Sequence, residues 1–195
     1  MNSSLSQMMR SLAELEQTLS HLPEIDHLMQ QVIDRVAGCL TSGHKLLACG
    51  NGGSAADAGH LTTELVCRFC DDRNPYPAIC LNALGSDMTA ISNDYGYDEV
   101  FARQVNAFGK AGDVLVAFTT SGNSQNIVRA LQEAKKRGVY CIAFLGKNGG
   151  KCKGLADLDL IVTGTKTTAR IQEIHHFLLH VICEGIEPTL QAHRK

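Results

Sequence analysis

The sequence predicts a doubly wound α/β domain, a five-stranded parallel sheet covered by helices on both faces and preceded by a helical extension. Three observations predict it. Short, nearly continuous apolar runs alternate with longer amphipathic stretches, the pattern of strands buried on both faces and joined by crossover helices. The chain has 195 residues, enough for one well-buried core and short for two, so a single domain is expected over 1–195, with 1–42 as the extension and 43–195 as the core. The longest apolar runs, such as Val114 to Phe118, are strand-sized, and none approaches the roughly 18 to 20 residues that span a bilayer.

Each element has its own signature. From Leu5 to about Leu19 and from Pro23 to about Leu40, apolar residues recur at helical spacing, Leu28, Val32, Ile33, Val36 and Leu40 among them. Five strands are then expected, at Lys45 to Cys49, Ala78 to Leu81, Val114 to Thr119, Tyr140 to Leu145 and Leu158 to Val162. Between them the spacing predicts helices near Ser54 to Phe69, Ser86 to Ser92, Glu99 to Phe108 and Ser124 to Arg137, with a long last helix over about Thr168 to Leu190. Sheets of this kind bind ligands beyond the carboxyl ends of the strands, where the strand order reverses. Two expected strand ends carry suitable loops: Gly50 to Ser54, and Thr119-Thr120-Ser121-Gly122-Asn123-Ser124.

Composition narrows the function. A formal net charge of -2 without a basic cluster leaves no electrostatic footprint for nucleic acid. The start, Met1-Asn2-Ser3-Ser4, leads into a polar amphipathic pattern with no apolar signal core, so neither export nor a membrane partner is expected and the cytoplasm is the expected location. Of the eight cysteines, Cys39, Cys49, Cys80, Cys141 and Cys183 sit inside apolar segments and read as buried, reduced thiols. Cys67-Arg68-Phe69-Cys70 is formally a C-x-x-C, but no second pair accompanies it and it falls late in an expected helix. A zinc finger and a redox centre are both disfavoured there.

Two stretches carry chemistry. Cys49-Gly50-Asn51-Gly52-Gly53-Ser54 is a glycine-rich turn opening a helix, which presents backbone N–H groups to an anion. That helix places His60 and Glu64 four residues apart on one face, a pair able to hold a metal or move a proton, or else an ordinary surface pair. Thr119 to Ser124 supplies four hydroxyls and a side-chain amide between a strand and a helix, enough to solvate a phosphate without a cation. The same residues also serve as a plain helix start, with Ser124 or Ser121 as the cap. Neither loop matches G-x-x-x-x-G-K-[ST] or G-x-G-x-x-G, which disfavours a nucleoside triphosphatase and a dinucleotide enzyme.

Together, Gly-Asn-Gly-Gly-Ser, Thr-Ser-Gly-Asn-Ser and Arg170-Ile171-Gln172-Glu173-Ile174-His175 resemble the sugar isomerase (SIS) domain. Nearly the whole chain, including Ala90 to Gly96 and Gly112 to Leu115, is similar to its bacterial phosphoheptose isomerases. The resemblance implies a flavodoxin-like sheet and a homotetramer with sites between subunits. It implies conversion of sedoheptulose 7-phosphate to D-glycero-D-manno-heptose 7-phosphate through a metal-assisted enediol, the first step toward ADP-heptose for lipopolysaccharide or other surface glycans. The metal it implies is Zn2+, on His60, Glu64, Gln172 and His180. Glu64 is then the base and His180 the acid. The substrate falls to Asn51, Gly52, Gly53, Ser54, Glu64, Arg68, Asn93, Asp94, Thr119, Thr120, Ser121, Ser124 and Gln172.

Gln172 and His180 are eight residues apart, about 12 Å along a helix. His176 lies four from each and is the spatially easier partner, whereas the family pattern keeps Gln172 and His180. Some relatives carry an acidic residue where this chain has Ala169, so a hydroxyl contact from that position is in doubt. A different class of function is a non-enzymatic SIS-domain adaptor that binds the replication initiator. That group lacks the full metal set, whereas Glu64 and His180 are present here. A sugar-phosphate-sensing regulator is disfavoured, since no segment is left over for a DNA-binding module.

Overall fold

The computed structural model describes residues 6–193. The expected helix start at Leu5 and the polar leader Met1 to Ser4 lie outside them. The described chain opens with helix α1 (Gln7–Leu19), whose first turn is capped by the Ser6 side chain accepting from the Met9 N–H. A 3-10 turn over Leu22–Ile25, with Pro23 in its first turn, leads into α2 (Asp26–Thr41). The alternation then runs β1 (Leu46–Gly50), α3 (Gly53–Val66), β2 (Ala78–Cys80), α4 (Gly85–Tyr95), α5 (Val100–Phe108), β3 (Val114–Thr119), α6 (Gln125–Lys136), β4 (Tyr140–Gly146), β5 (Leu158–Val162) and α7 (Thr168–Ala192).

All five strands are parallel, in the order β2-β1-β3-β4-β5. Because side chains alternate across a strand, each strand feeds two cores. Leu46 and Ala48 of β1, Val114, Val116 and Phe118 of β3, and Ile142 and Phe144 of β4 pack under α2, α3 and α7. The intervening Leu47, Cys49, Leu115, Ala117, Cys141, Ala143 and Leu145 pack under α5 and α6. This two-sided burial explains the continuous apolar runs in the sequence. The expected extension divides in two: α2 is an integral layer, sending Val32, Val36 and Leu40 into the first core, while α1 lies outside it against α7, where Arg170 donates to the Ser11 carbonyl at 2.7 Å.

The chain leaves β1 toward β2 on one side and returns to β3 on the other, so the strand order reverses between β1 and β3. The crevice beyond their carboxyl ends is where such a sheet binds ligands. One expected boundary is corrected. α3 ends at Val66 rather than Phe69, because Arg73 folds back and its guanidinium takes the Glu64 and Leu65 carbonyls at 2.7 and 3.1 Å, while Tyr76 N–H also binds the Leu65 carbonyl. The C-x-x-C therefore lies just past the helix, with Cys67 and Cys70 both exposed and free. Cys39, Cys49, Cys141 and Cys183 are buried thiols as expected, and Cys80 is half-buried. Burial holds Cys141 and Cys183 up at about 12, which keeps them protonated and inert at neutral pH.

Candidate functional site

The first loop needs its glycines for two different reasons, lack of space at Gly50 and backbone conformation at Gly52. A Cβ on Gly50 would sit 2.3 Å from the Ser54 carbonyl oxygen, and Gly52 holds φ at +58°, a left-handed conformation that glycine adopts without strain. Asn82 clamps the turn from the next strand end, accepting from the Gly50 N–H at 3.1 Å and donating to its carbonyl at 2.9 Å. Gly52 is the N-cap of α3 and no side chain caps the helix. Its positive end therefore faces the crevice, with Gly52 and Gly53 exposed and Ser54 buried in the first turn.

The second loop separates the two readings of its hydroxyls. Thr119, buried at the end of β3, accepts from the Gly122 N–H at 3.2 Å, and Ser121 Oγ accepts from the Asn123 N–H at 3.1 Å. Those two hydroxyls support the turn itself. Ser124 stands at the N-cap of α6 yet makes no side-chain capping bond, so the uncapped end of α6 and the Ser124 hydroxyl remain available to an anion. Thr120 is half-buried between them.

The loops are tied to each other by a contact that pattern reading did not find. Asn51 Nδ2 donates to Asn126 Oδ1 at 2.9 Å and Asn126 Nδ2 donates back to Asn51 Oδ1 at 2.9 Å. Tyr97 OH donates to the same Asn51 oxygen at 2.9 Å. Asn126 and Tyr97 carry no local signal, because each acts only across the fold.

The candidate reactive groups lie on α3 and α7, which pack side by side. His60 Nε2 is 3.1 Å from Glu64 Oε1 and 2.9 Å from His180 Nε2. His176 joins them: its ring centroid is 4.6 Å from that of His60 and 4.7 Å from that of His180, and one ring nitrogen from each of the three histidines lies within 4.8 Å of the others. Partial burial, followed by the neighbouring His176 and His60 imidazoles, holds His180 below the ordinary histidine value. His176 Nδ1 meets Asp57 Oδ1 at 3.1 Å. Burial raises the Asp57 carboxyl, and the bond to His176 pulls it partly back.

This donor set fits a divalent cation. An imidazole nitrogen offers a single in-plane bonding direction and at most one hydrogen, but His60 Nε2 faces both a carboxylate oxygen and a second imidazole nitrogen. One proton cannot serve both partners, whereas a cation accepts lone pairs from all three. Imidazole and carboxylate ligands suit zinc.

The remaining expected site residues are placed as follows. Gln172, the fifth residue of α7, lays its amide over Gly53, so that a Cβ there would be 2.5 Å from Gln172 Nε2. Arg68 lies on the loop beyond α3, with Nη1 donating to the Cys70 carbonyl at 2.7 Å. Asn93 and Asp94 are exposed near the end of α4, linked to each other by a 2.8 Å bond, three residues before the Tyr97 that reaches Asn51. His175 points away from the cluster into the core. It is fully buried between Phe118 and Phe144, its Nε2 donates to the Leu145 carbonyl, and burial pushes its pKa down to about 4. It is a neutral structural histidine.

Comparison with known proteins places this site in a family. The SIS domain profile matches residues 11–146. The chain is 48% identical to a phosphoheptose isomerase of Campylobacter concisus over 157 residues, 80% of this chain and 82% of that one. It is 47% identical to the phosphoheptose isomerase of Bordetella avium over 183 residues, covering 92% and 91%. A solved phosphoheptose isomerase from Francisella tularensis superposes with a TM-score of 0.86 at 33% identity, covering 94% of this chain and all of the other. With identity near one half across most of its length, the chain belongs to the SIS domain family and, within it, to the phosphoheptose isomerases.

Proposed function

We propose that this isomerase converts sedoheptulose 7-phosphate to D-glycero-D-manno-heptose 7-phosphate through an enediol, supplying the heptose of surface glycans such as lipopolysaccharide. The observation that carries the reading is the juxtaposition at the switch point. Two uncapped helix ends with free hydroxyl and amide groups adjoin a Glu/His cluster with no lysine or arginine in it. The first binds an unreactive phosphate; the second moves protons.

A ketose becomes an aldose when a base takes a proton from carbon 1 and returns it to carbon 2, while an acid–base group takes the proton from O1 and supplies one to O2. Glu64 is the carboxylate suited to the carbon-bound proton. His180, held below the ordinary histidine value by partial burial and by the neighbouring His176 and His60 imidazoles, is the group suited to the proton on the oxygens. Ser54, Thr119, Ser121 and Ser124 hold the phosphate, and Gly52, Gly53, Asn51 and Thr120 line the sugar, with Gln172, Arg68, Asn93 and Asp94 completing the contacts. A zinc ion held by His60, Glu64 and His180, with Gln172 as the fourth ligand in the family pattern, would supply positive charge beside the enediolate oxygens.

The exposed apolar residues Met8, Met9 and Leu12 of α1 and Phe177 of α7 support a homotetramer with sites between subunits. Among the described residues no helix is long and apolar enough to cross a membrane, and we propose a cytoplasmic enzyme. Metal analysis with a turnover assay on sedoheptulose 7-phosphate tests the reading. Aldose formation with bound zinc is expected. A metal-free, inactive protein that binds a replication initiator would replace it with the adaptor.

A further inference from the structure

Three separate segments of the crevice converge on one side chain, the Asn51 carboxamide. Asn51 belongs to the glycine loop, Asn126 to the first turn of α6 two residues after Ser124, and Tyr97 to the 3-10 turn (Tyr97–Glu99) that follows α4. We propose that Asn126 and Tyr97, neither of them among the expected site residues, are positioning residues: they make Asn51 a fixed hydrogen-bond donor to an oxygen of the bound sugar phosphate and set the separation of the two uncapped helix ends. The inference rests on the isomerase reading above.

The hydrogen bonds leave Asn51 a single role. A carboxamide has two acceptor lone pairs and two N–H donors. Both lone pairs of Asn51 Oδ1 are occupied, one by Asn126 Nδ2 and one by the Tyr97 hydroxyl, each at 2.9 Å, and one N–H is spent on Asn126 Oδ1 at 2.9 Å. The second Nδ2 hydrogen has no partner among the described residues. Asn51 can therefore give a hydrogen bond to a ligand and cannot accept one. Turning either amide by itself would set oxygen against oxygen and nitrogen against nitrogen, so the pair is locked as a unit. Asn126 is buried, and the start of α6 cannot shift relative to the glycine loop without breaking both of its bonds.

Tyr97 extends the lock to the third segment. α4 carries Asn93 and Asp94 yet has no buried residue, so packing alone holds it weakly. The Tyr97 hydroxyl, from the turn directly after it, ties that segment to the glycine loop. None of the three bonds involves His60, Glu64 or His180. The network therefore acts on binding and orientation, not on proton transfer.

A double-mutant cycle on the full-length protein tests this. Initial rates with sedoheptulose 7-phosphate and calorimetric titrations with inorganic phosphate are measured for Asn126→Leu, Tyr97→Phe, Asn51→Ala and the two pairs that contain Asn51→Ala. Asn126→Leu should raise KM about tenfold and Tyr97→Phe about threefold, with kcat changed less than KM in each. Because both residues act through Asn51, neither change should weaken binding further once Asn51 is alanine. Tyr97 is 52% exposed, so Tyr97→Phe should melt like the unaltered protein, and its cycle stays readable if Asn126→Leu folds poorly. Effects that multiply in the Asn51→Ala background, or a lowered melting temperature with unchanged KM, would overturn the inference and leave the network a staple of the fold. If the unaltered protein does not isomerise sedoheptulose 7-phosphate, the functional reading beneath it fails, and the phosphate titrations alone then decide the positioning roles by the same criterion.

Discussion

Replacing Arg73 by methionine should destabilise the protein and disturb catalysis, although Arg73 reaches the candidate site only through the main-chain carbonyl of Glu64. Its side chain is 1% exposed and its guanidinium makes five hydrogen bonds: Nε to both Glu187 oxygens at 3.0 and 3.1 Å, Nη1 to the Leu65 and Asn74 carbonyls, and Nη2 to the Glu64 carbonyl. The bond set pins the last turn of α3 to α7. Removing one partner of a buried ion pair costs about 3–5 kcal/mol, because the other charge is left without compensation. For a chain of this size each kcal/mol shifts Tm by about 2–4 °C, so Arg73→Met should lower it by roughly 6–20 °C. Arg73→Met with Glu187→Leu removes both charges and should recover more than half of the loss. Thermal unfolding followed by circular dichroism measures both. Since Glu64 belongs to the turn that loosens, and displacements near 1 Å can cost about 100-fold in rate, kcat of the single variant measured well below its Tm should fall more than its affinity for the substrate phosphate. A Tm loss under about 2 °C, or a double variant no more stable than the single one, would refute the pinning argument.

Other perturbations separate the parts of the site. Glu64→Gln should retain fold and KM while kcat falls about 100- to 10,000-fold, and solvent deuterium should no longer enter the sugar carbon; near-normal turnover eliminates Glu64 as the base. Ser124→Ala should mainly raise KM, about tenfold for one charge-assisted bond of about 1.5 kcal/mol, and a fall in kcat at constant KM contradicts a phosphate role. Gly122→Ala combines φ of +65° with a Cβ 1.9 Å from the Gly149 carbonyl oxygen; urea unfolding should show a loss above about 2 kcal/mol. Burial raises the Asp113 carboxyl, but bonds from Lys45 and from the Lys45 and Lys110 amides outweigh it and hold the pKa below the ordinary 3.8. Its stabilisation is complete above 3.8 and disappears as pH falls through the lower folded-state value. Asp113→Asn should therefore be less stable at pH 7 and show a shallower acid transition; an unchanged acid limb excludes this linkage.

The fold was legible where local pattern and burial coincide. Val114 to Phe118 reads as a strand because alternate residues enter two different cores, so every position is apolar. The two candidate ligand loops were legible because glycines and hydroxyls are what a chain needs to turn sharply at the start of a helix. The end of α3 was not legible, because Val66 to Phe69 continues the helical pattern and the interruption comes from Arg73 and from β2's approach. Asn126, Tyr97 and Asp57 were equally hidden. Each makes its contact at the candidate site with a residue 46 to 119 positions away, which a periodicity argument cannot reach.

The histidines show the limit most sharply, since one helix carries three of them in six residues with different fates. At 100° per residue, His175 and His176 cannot share a face. Pattern alone leaves open which one faces the core. The sheet decides: Phe118 and Phe144 present an aromatic wall beneath α7, and the position that meets them, 175, is desolvated until its charged form is excluded. Once 175 is fixed inward, positions 176 and 180 follow one turn apart along the face toward α3, where Asp57, His60 and Glu64 are spaced to receive them. The site is therefore a consequence of packing. The same contacts that bury the structural histidine rotate His176 and His180 toward α3, and a change to the Phe118–His175–Phe144 stack would reach the His60–His176–His180 cluster through the rotation of α7.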